Sequence, residues 1–535
     1  MSMTAARYDA IIVGGGHNGL IAAGYLAKER LKVLVLERRE IVGGACVTEE
    51  LIPGHRVTRT SYVCSLLLPE VIRDFRMRDY GFQVLVPEPH SLYPQPDGRY
   101  MLWYADAERR GREVAKFSQK DVANLERFER ELAELQPFVD EILRITPPPF
   151  PPRGLKEMFD FARLGRRMLK LGEKRLRHFV ELMTASCADY LIKRFESDEV
   201  MAALAINGMI GTCVGPWSSG SAAVMLHHSI GSSIEGQPGA WGYVKGGMSG
   251  IAEALLRAVK DLGVEVRTQS EVARFIVESG SVRGVRLANG DEFRGKIVAS
   301  NLDPRRTFLS LIEPGTLDAE FVQDIRNFKM QGSSIKMNLA LSELPDWKCI
   351  PGQDPRAPHH QAMFEIAPSL EYLERAYDDM KYGQPSRRPL IDGNVASVLD
   401  DSLCPKGHHV MSLFVQWGPY HLKQGTWPEI REKVGDNIVD TLEEYIPNIK
   451  KIIIGREVLS PYDLEKIFGL TEGNIFHGEM TPDQLFFLRP VPRWSGYRTP
   501  LRGLYLCGSG AHPGGGVMGA PGRNAAREIL KDLRR

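Results

Sequence analysis

Residues 8–13, YDAIIV, run directly into Gly14-Gly15-Gly16-His17-Asn18-Gly19, and an apolar stretch with helical spacing, residues 20–26, follows. The Ile/Val-rich run reads as a short buried strand. Glycines at 14, 16 and 19 have the G-x-G-x-x-G spacing of a dinucleotide fingerprint. Gly14 permits the tight turn, Gly16 lets the backbone approach a pyrophosphate, and Gly19 lets helix and strand pack closely. The helix start then offers free N–H groups and partial positive charge to phosphates, with Asn18 in its first turn.

A glycine turn alone is weak evidence, so its context decides. A second apolar strand, residues 31–36, ends in Glu37 and Arg38. A carboxylate at that strand end can accept hydrogen bonds from ribose hydroxyls. The bland alternative is a solvated Glu. Just downstream stands Arg39-Glu40-Ile41-Val42-Gly43-Gly44-Ala45. Its double glycine resembles the second fingerprint of two-dinucleotide-binding flavoproteins, with Ala45 where Arg is frequent. That resemblance implies FAD rather than NAD, held by Gly43 and Gly44 and reached by Ala45.

The chain end has a matching signature. Residues 504–507 read as a strand leading into Gly508-Ser509-Gly510-Ala511-His512-Pro513-Gly514-Gly515-Gly516-Val517, and residues 521–530 read as a helix. This segment resembles the C-terminal flavin-binding part of the phytoene desaturase and carotenoid–retinoid oxidoreductase superfamily. Ser61-Tyr62, Val244-Lys245-Gly246-Gly247-Met248, Gly473-Asn474-Ile475-Phe476-His477-Gly478 and the 483–490 stretch are similar to its phytoene-dehydrogenase-related subgroup, named for a pyridine nucleotide-disulfide oxidoreductase domain.

The resemblance implies an α/β fold with a Rossmann-type, glutathione-reductase-like FAD domain assembled from residues 1–75, 240–310 and 496–535. An α+β substrate domain, residues 76–239 and 311–495, is inserted between these pieces. It implies that Gly508, Ser509, Gly516 and Val517 bind the cofactor, with the backbone at Val272 near the adenine. The implied activity is hydride transfer between flavin N5 and a C–C unit of an apolar, polyene or acyl-like substrate. Two other readings stay open: an FAD-dependent amine oxidase and a flavoprotein with a regulatory or protein-interaction role.

No second strand–GxGxxG–helix unit occurs mid-chain, so no dedicated nicotinamide domain is expected. For proton transfer, His512, His477 and Lys245 are the candidates, imidazole being suited to neutral pH. For each histidine a hydrogen-bonding scaffold role in its loop is the reading that stands ahead of catalysis, and Lys245 is equally an ordinary exposed lysine. Tyr62 is either a ligand contact or a core residue. Cys507, before a glycine turn, reads as a packed thiol, so the FAD is expected to be noncovalent.

Bulk properties narrow the classes. At 535 residues, two or three domains are expected. Lys+Arg of 68 against Asp+Glu of 67 removes any global case for a nucleic-acid partner. Seven cysteines without a CxxC fit a reducing, cytoplasmic setting, and no spacing supports a metal site. Residues 201–214 read as a buried helix. Residues 120–145 and 429–446 read as amphipathic helices. Residues 153–178 carry nine Lys or Arg and three acids, interleaved with Leu, Met and Phe. That pattern reads either as a surface helix or as a peripheral contact with an anionic membrane.

Overall fold

The computed structural model describes residues 7–229 and 240–534. The chain start and the expected junction at 239 lie outside these residues. Two seven-stranded sheets organise an α/β architecture.

In the first sheet, the strand Arg7–Val13 lies between Val33–Leu36 and Glu292–Ser300, parallel to both. Leu504–Leu506 adds in parallel on the far side of Glu292–Ser300. Val13 is therefore level with Leu36 and Ser300, and Ser300 with Leu506. Four strands from three distant parts of the chain end at one edge. In open parallel sheets, that carboxyl edge is where ligands bind. The antiparallel hairpin Val272–Glu278/Ser281–Leu287 extends the sheet beyond Glu292–Ser300.

The inner half of the strand Arg7–Val13, residues 10–13, is apolar and buried throughout, as expected of a strand enclosed on both faces. Its helix His17–Lys28 packs against Ser249–Asp261 on one side and Ala520–Leu533 on the other. A side chain at Gly522 would sit 2.2 Å from the Asn18 carbonyl oxygen, so glycine there allows the first and last helices to touch.

The second sheet runs Ile453–Leu459, Ser334–Leu341, His409–Gln416, Leu390–Asn394, Met363–Ile366, Ser91–Pro94, Tyr100–Trp103. The helix Trp427–Glu443 covers it, entered through a Thr426/Glu429 capping box. A hairpin, Thr48–Ile52/His55–Thr58, reaches from the glycine-rich region onto this sheet, where the Thr58 and Ser412 hydroxyls meet at 3.3 Å.

A third core is helical, built around Gln119–Arg144 and Asp198–Ala205. The expected single helix over 201–214 is corrected here. It stops at Ala205, gives one 3-10 turn to Gly208, and then unwinds. Gly211 has φ +68°, and a Cβ there would meet the Phe476 ring at 2.5 Å. Contact with the flavin-side segment overrides the helical propensity of the run.

Candidate active site

A cavity of about 1140 Å³ lies between the carboxyl edge of the first sheet and the second sheet. It exceeds the ~300–1,000 Å³ of ordinary ligand pockets, leaving room for a dinucleotide and a substrate together.

The glycine turn forms one wall. Gly14 (φ +98°), Gly43 (φ +131°) and Gly44 (φ +59°) adopt left-handed conformations that favour glycine. Gly43 N–H donates to the Gly15 carbonyl at 2.9 Å, clamping the two glycine segments together. The helix His17–Lys28 starts at Gly16 without any side-chain cap, so its first-turn N–H groups are left for a ligand. A Cβ at Gly16 would come within 2.8 Å of Asn301 Nδ2. These features fit the pyrophosphate of FAD.

Glu37 is buried at the end of the second strand, and its oxygens accept from Gly15 N–H at 2.8 Å and Arg39 N–H at 2.9 Å. The carboxylate thus braces the glycine loop, a role in addition to the expected one. Its remaining lone pairs stay available to hydroxyl donors. Arg38 lines the same wall and donates to the Ile467 carbonyl at 2.6 Å.

Most of the expected cofactor residues converge here. Gly14, Gly16, Asn18, Glu37, Arg38 and Gly43 line the cavity. So do Gly44, Ala45, Val272, Ser509, Gly516 and Val517. Gly19 and Gly508 do not. A Cβ at Gly19 would lie 2.2 Å from the Gly14 carbonyl, and one at Gly508 would lie 2.5 Å from the Asn301 carbonyl. Both serve backbone packing behind the wall. Ala45 contributes its carbonyl, which accepts from the Ser61 hydroxyl at 2.7 Å.

The three proton-transfer candidates separate. His477 lines the cavity with its Nδ1 unpartnered. Asn474 shapes its loop by accepting from Phe476 N–H (2.9 Å) and Gly478 N–H (3.0 Å). Burial lowers the His477 pKa. His512 is corrected to a structural residue. It is buried away from the cavity lining, its Nε2 lies 2.9 Å from the Ile142 carbonyl, and burial lowers its pKa to about 4. Lys245 is also corrected. It is exposed and outside the lining, while the following Gly247 (φ +79°) turns the chain where a Cβ would strike Thr48 Oγ1 at 2.3 Å. The Lys-Gly-Gly turn is a packing device.

The opposite wall holds residues that sequence reasoning did not single out. Strand register aligns Lys336 with Phe414, Phe414 with Asp392, and Asp392 with Glu365. The four form a row across adjacent strands, about 5 Å apart, and all line the cavity. Lys336 is buried and donates to Asn338 Oδ1 at 2.7 Å and to the Ser412 hydroxyl. Burial lowers its pKa to about 7. Burial raises both carboxyls, and Glu365 accepts from the Ser91 hydroxyl at 3.0 Å. Asp392 Oδ2 accepts from the Tyr62 hydroxyl, whereas its Oδ1 has no partner. Tyr62 stacks on Phe414 at 5.7 Å, so it is part of this wall.

His17, inside the first fingerprint, also lines the cavity with its Nε2 unpartnered, and burial lowers its pKa to about 4. The signal available for the wall was a lone charge in each apolar strand: Lys in SIKMNLAL, Glu in MFEI, Asp in LIDGN.

Arg489, fully buried, binds the two flavin-side segments together. It donates to the carbonyls of Phe476 (2.8 Å), Glu479 (2.9 Å) and Ser509 (2.8 Å). Among the described residues, no group of three or more His, Cys, Asp or Glu could hold a metal ion.

The family described as "Flavin containing amine oxidoreductase" matches residues 19–530. The chain is 40% identical to rat pyridine nucleotide-disulfide oxidoreductase domain-containing protein 2, over 99% of this chain and 94% of that one. It is 25% identical to a limonene dehydrogenase polypeptide of Castellaniella defragrans, covering 98% and 95% respectively. A solved structure of a putrescine oxidase triple mutant superposes with a TM-score of 0.61 at 17% identity, covering 98% of this chain and 99% of that one. The chain belongs to the flavin-containing amine oxidoreductase family and is an FAD-dependent oxidoreductase.

Proposed function

We propose that this flavoenzyme transfers a hydride equivalent between flavin N5 and a C–C unit of an apolar substrate, dehydrogenating, saturating or isomerising it. The observation that carries the reading is the continuity of the cavity. From the glycine wall it extends along Phe128, Leu132, Ala203, Leu204 and Ile210 of the helical core. Such a lining desolvates a hydrocarbon or acyl chain. The similarity to a relative named as a limonene dehydrogenase supports a hydrocarbon-like substrate.

FAD, when bound, supplies the two-electron chemistry. The chain's residues place the substrate and handle the proton. Lys336, with its pKa near 7, is suited to hold or release a proton near neutrality. His17, kept neutral by burial, adds an uncharged imidazole to the wall.

A second reading, an amine oxidase, is favoured by the buried Asp392 and Glu365 facing the same cavity, since carboxylates suit a protonated amine. Anaerobic titration of the purified flavoprotein separates the two. Bleaching of the flavin absorbance by terpenes, polyenes or acyl chains supports the C–C reaction. Bleaching by alkylamines alone replaces it with the second reading. A flavin that no donor reduces, with a partner protein copurifying, would favour a regulatory role instead.

A further inference from the structure

The helix Leu155–Leu169 has a broad apolar side that is only partly covered: Phe161, Leu164 and Met168 are half-buried, and the rest of it is exposed. Its inner face is anchored. Phe161 packs at 5.9 Å from Phe150 and 6.0 Å from Phe487, Arg167 pairs with Glu141 at 3.1 Å, and Glu157 accepts from Arg153 N–H at 2.7 Å and pairs with Arg493. The helix is thus fixed to the body of the protein.

Its outer face is bare. Leu155, Phe159 and Leu169 are 79%, 75% and 73% exposed, the three most exposed large apolar side chains among the described residues. Met158 (57%) lies on the same stripe at helical spacing. An isolated exposed leucine needs no explanation, but four large apolar groups on one helix face do.

Cations border this stripe. Lys156, Arg163, Arg166 and Lys170 are exposed and make no ion pair among the described residues. Lys174 and Arg177 of the next helix, Glu173–Thr184, are exposed as well, beside the exposed Val180. By contrast, the acidic Glu157 is turned towards the body, where it pairs with Arg493.

We propose that this helix seats the protein on an anionic lipid bilayer, lying in the plane of the surface. Leu155, Met158, Phe159 and Leu169 enter the headgroup–acyl boundary while the flanking Lys and Arg meet lipid phosphates. Charge complementarity selects this occupant. A second copy docked symmetrically would set one basic face against another. Fifteen residues rise about 22 Å, short of the ~30 Å hydrocarbon core, and no described helix is long and apolar enough to cross a membrane.

Cosedimentation of the purified holoprotein with phosphatidylglycerol/phosphatidylcholine vesicles, and with phosphatidylcholine alone, tests the proposal. Three proteins are compared: the parent, Leu155→Ser/Phe159→Ser, and Arg163→Gln/Arg166→Gln/Lys170→Gln. The parent is expected to pellet with anionic vesicles and to be released by salt. Each variant should partition about tenfold less, with circular dichroism and flavin content unchanged because these side chains touch neither core nor cavity. Three results overturn it: no parental binding to vesicles, equal binding by parent and variants, or a parental dimer on size exclusion that Leu155→Ser/Phe159→Ser dissolves. Capture of an acidic protein through the face by a parent that ignores vesicles overturns it too.

Discussion

The amide of Asn18 donates to the hydroxyl of Ser509 at 3.2 Å, joining residues 491 positions apart. The Asn18 side-chain carbonyl oxygen also accepts from Gly522 N–H at 3.4 Å. One buried side chain thus stitches the first fingerprint to the last strand–loop–helix unit, at the wall assigned to FAD. Removing it strands a buried hydroxyl and a backbone donor. Asn18→Ala is expected to lower unfolding stability by about 1–3 kcal/mol and to reduce flavin retained on purification. Urea unfolding monitored by flavin and tryptophan fluorescence checks both. An unchanged midpoint with full flavin would mean that the ends are held by apolar contact alone.

Gly19 and Gly16 belong to one motif but should fail differently. The new methyl of Gly19→Ala would overlap the Gly14 carbonyl at 2.2 Å, where neither backbone can yield. A cost on the order of 3 kcal/mol or more is expected, with loss of soluble protein or of cooperative unfolding. In Gly16→Ala the clash is with Asn301 Nδ2 at 2.8 Å, a side-chain end that can rotate. That variant should keep its melting transition and lose FAD affinity. Calorimetry and flavin titration of the apoprotein distinguish the two outcomes, and equal melting temperatures for both variants would refute the assignment.

Lys336 should leave a pH signature. Burial lowers it from 10.5 to about 7, so between these values the unfolded chain carries a proton that the native chain lacks. The contribution of this residue to stability therefore rises with pH across that window and is least favourable below about pH 7. The stability of the parent relative to Lys336→Met should increase by a few kcal/mol from about pH 6 to about pH 10, one pKa unit being worth about 1.4 kcal/mol. Flavin reduction in the parent should show a limb near pH 7 that Lys336→Met lacks. A difference in stability that is flat with pH would place the ammonium in water.

Much of the cofactor wall was legible because its signals are local. The strand at 8–13, the glycines at 14, 16, 43 and 44, and the 504–516 segment each carry their conformation in adjacent residues. Helix starts were read within a few positions: Trp427–Glu443 and Gln119–Arg144 both follow capping residues, Thr426 and Ser118. The basic stretch at 153–178 was equally visible, although only its exposure showed that its apolar stripe is uncovered.

Three readings needed the fold. Glu37 serves the glycine loop through Gly15 N–H, which no spacing announces. His512 and His477 looked alike beside glycines, but one is bound to the Ile142 carbonyl and the other faces the cavity. Tyr62, left open between ligand and core, stacks on a strand some 350 residues away.

Sequence by itself determined the first strand and its glycine turn, because glycine φ preferences and strand periodicity act over a few residues, and its resemblance to two-dinucleotide-binding flavoproteins implied the α/β class and FAD. Tertiary structure decided the chemistry of the facing wall. Lys336, Asp392 and Glu365 become neighbours only through pairing of four strands, and their proton affinities come from shared burial that no single strand possesses.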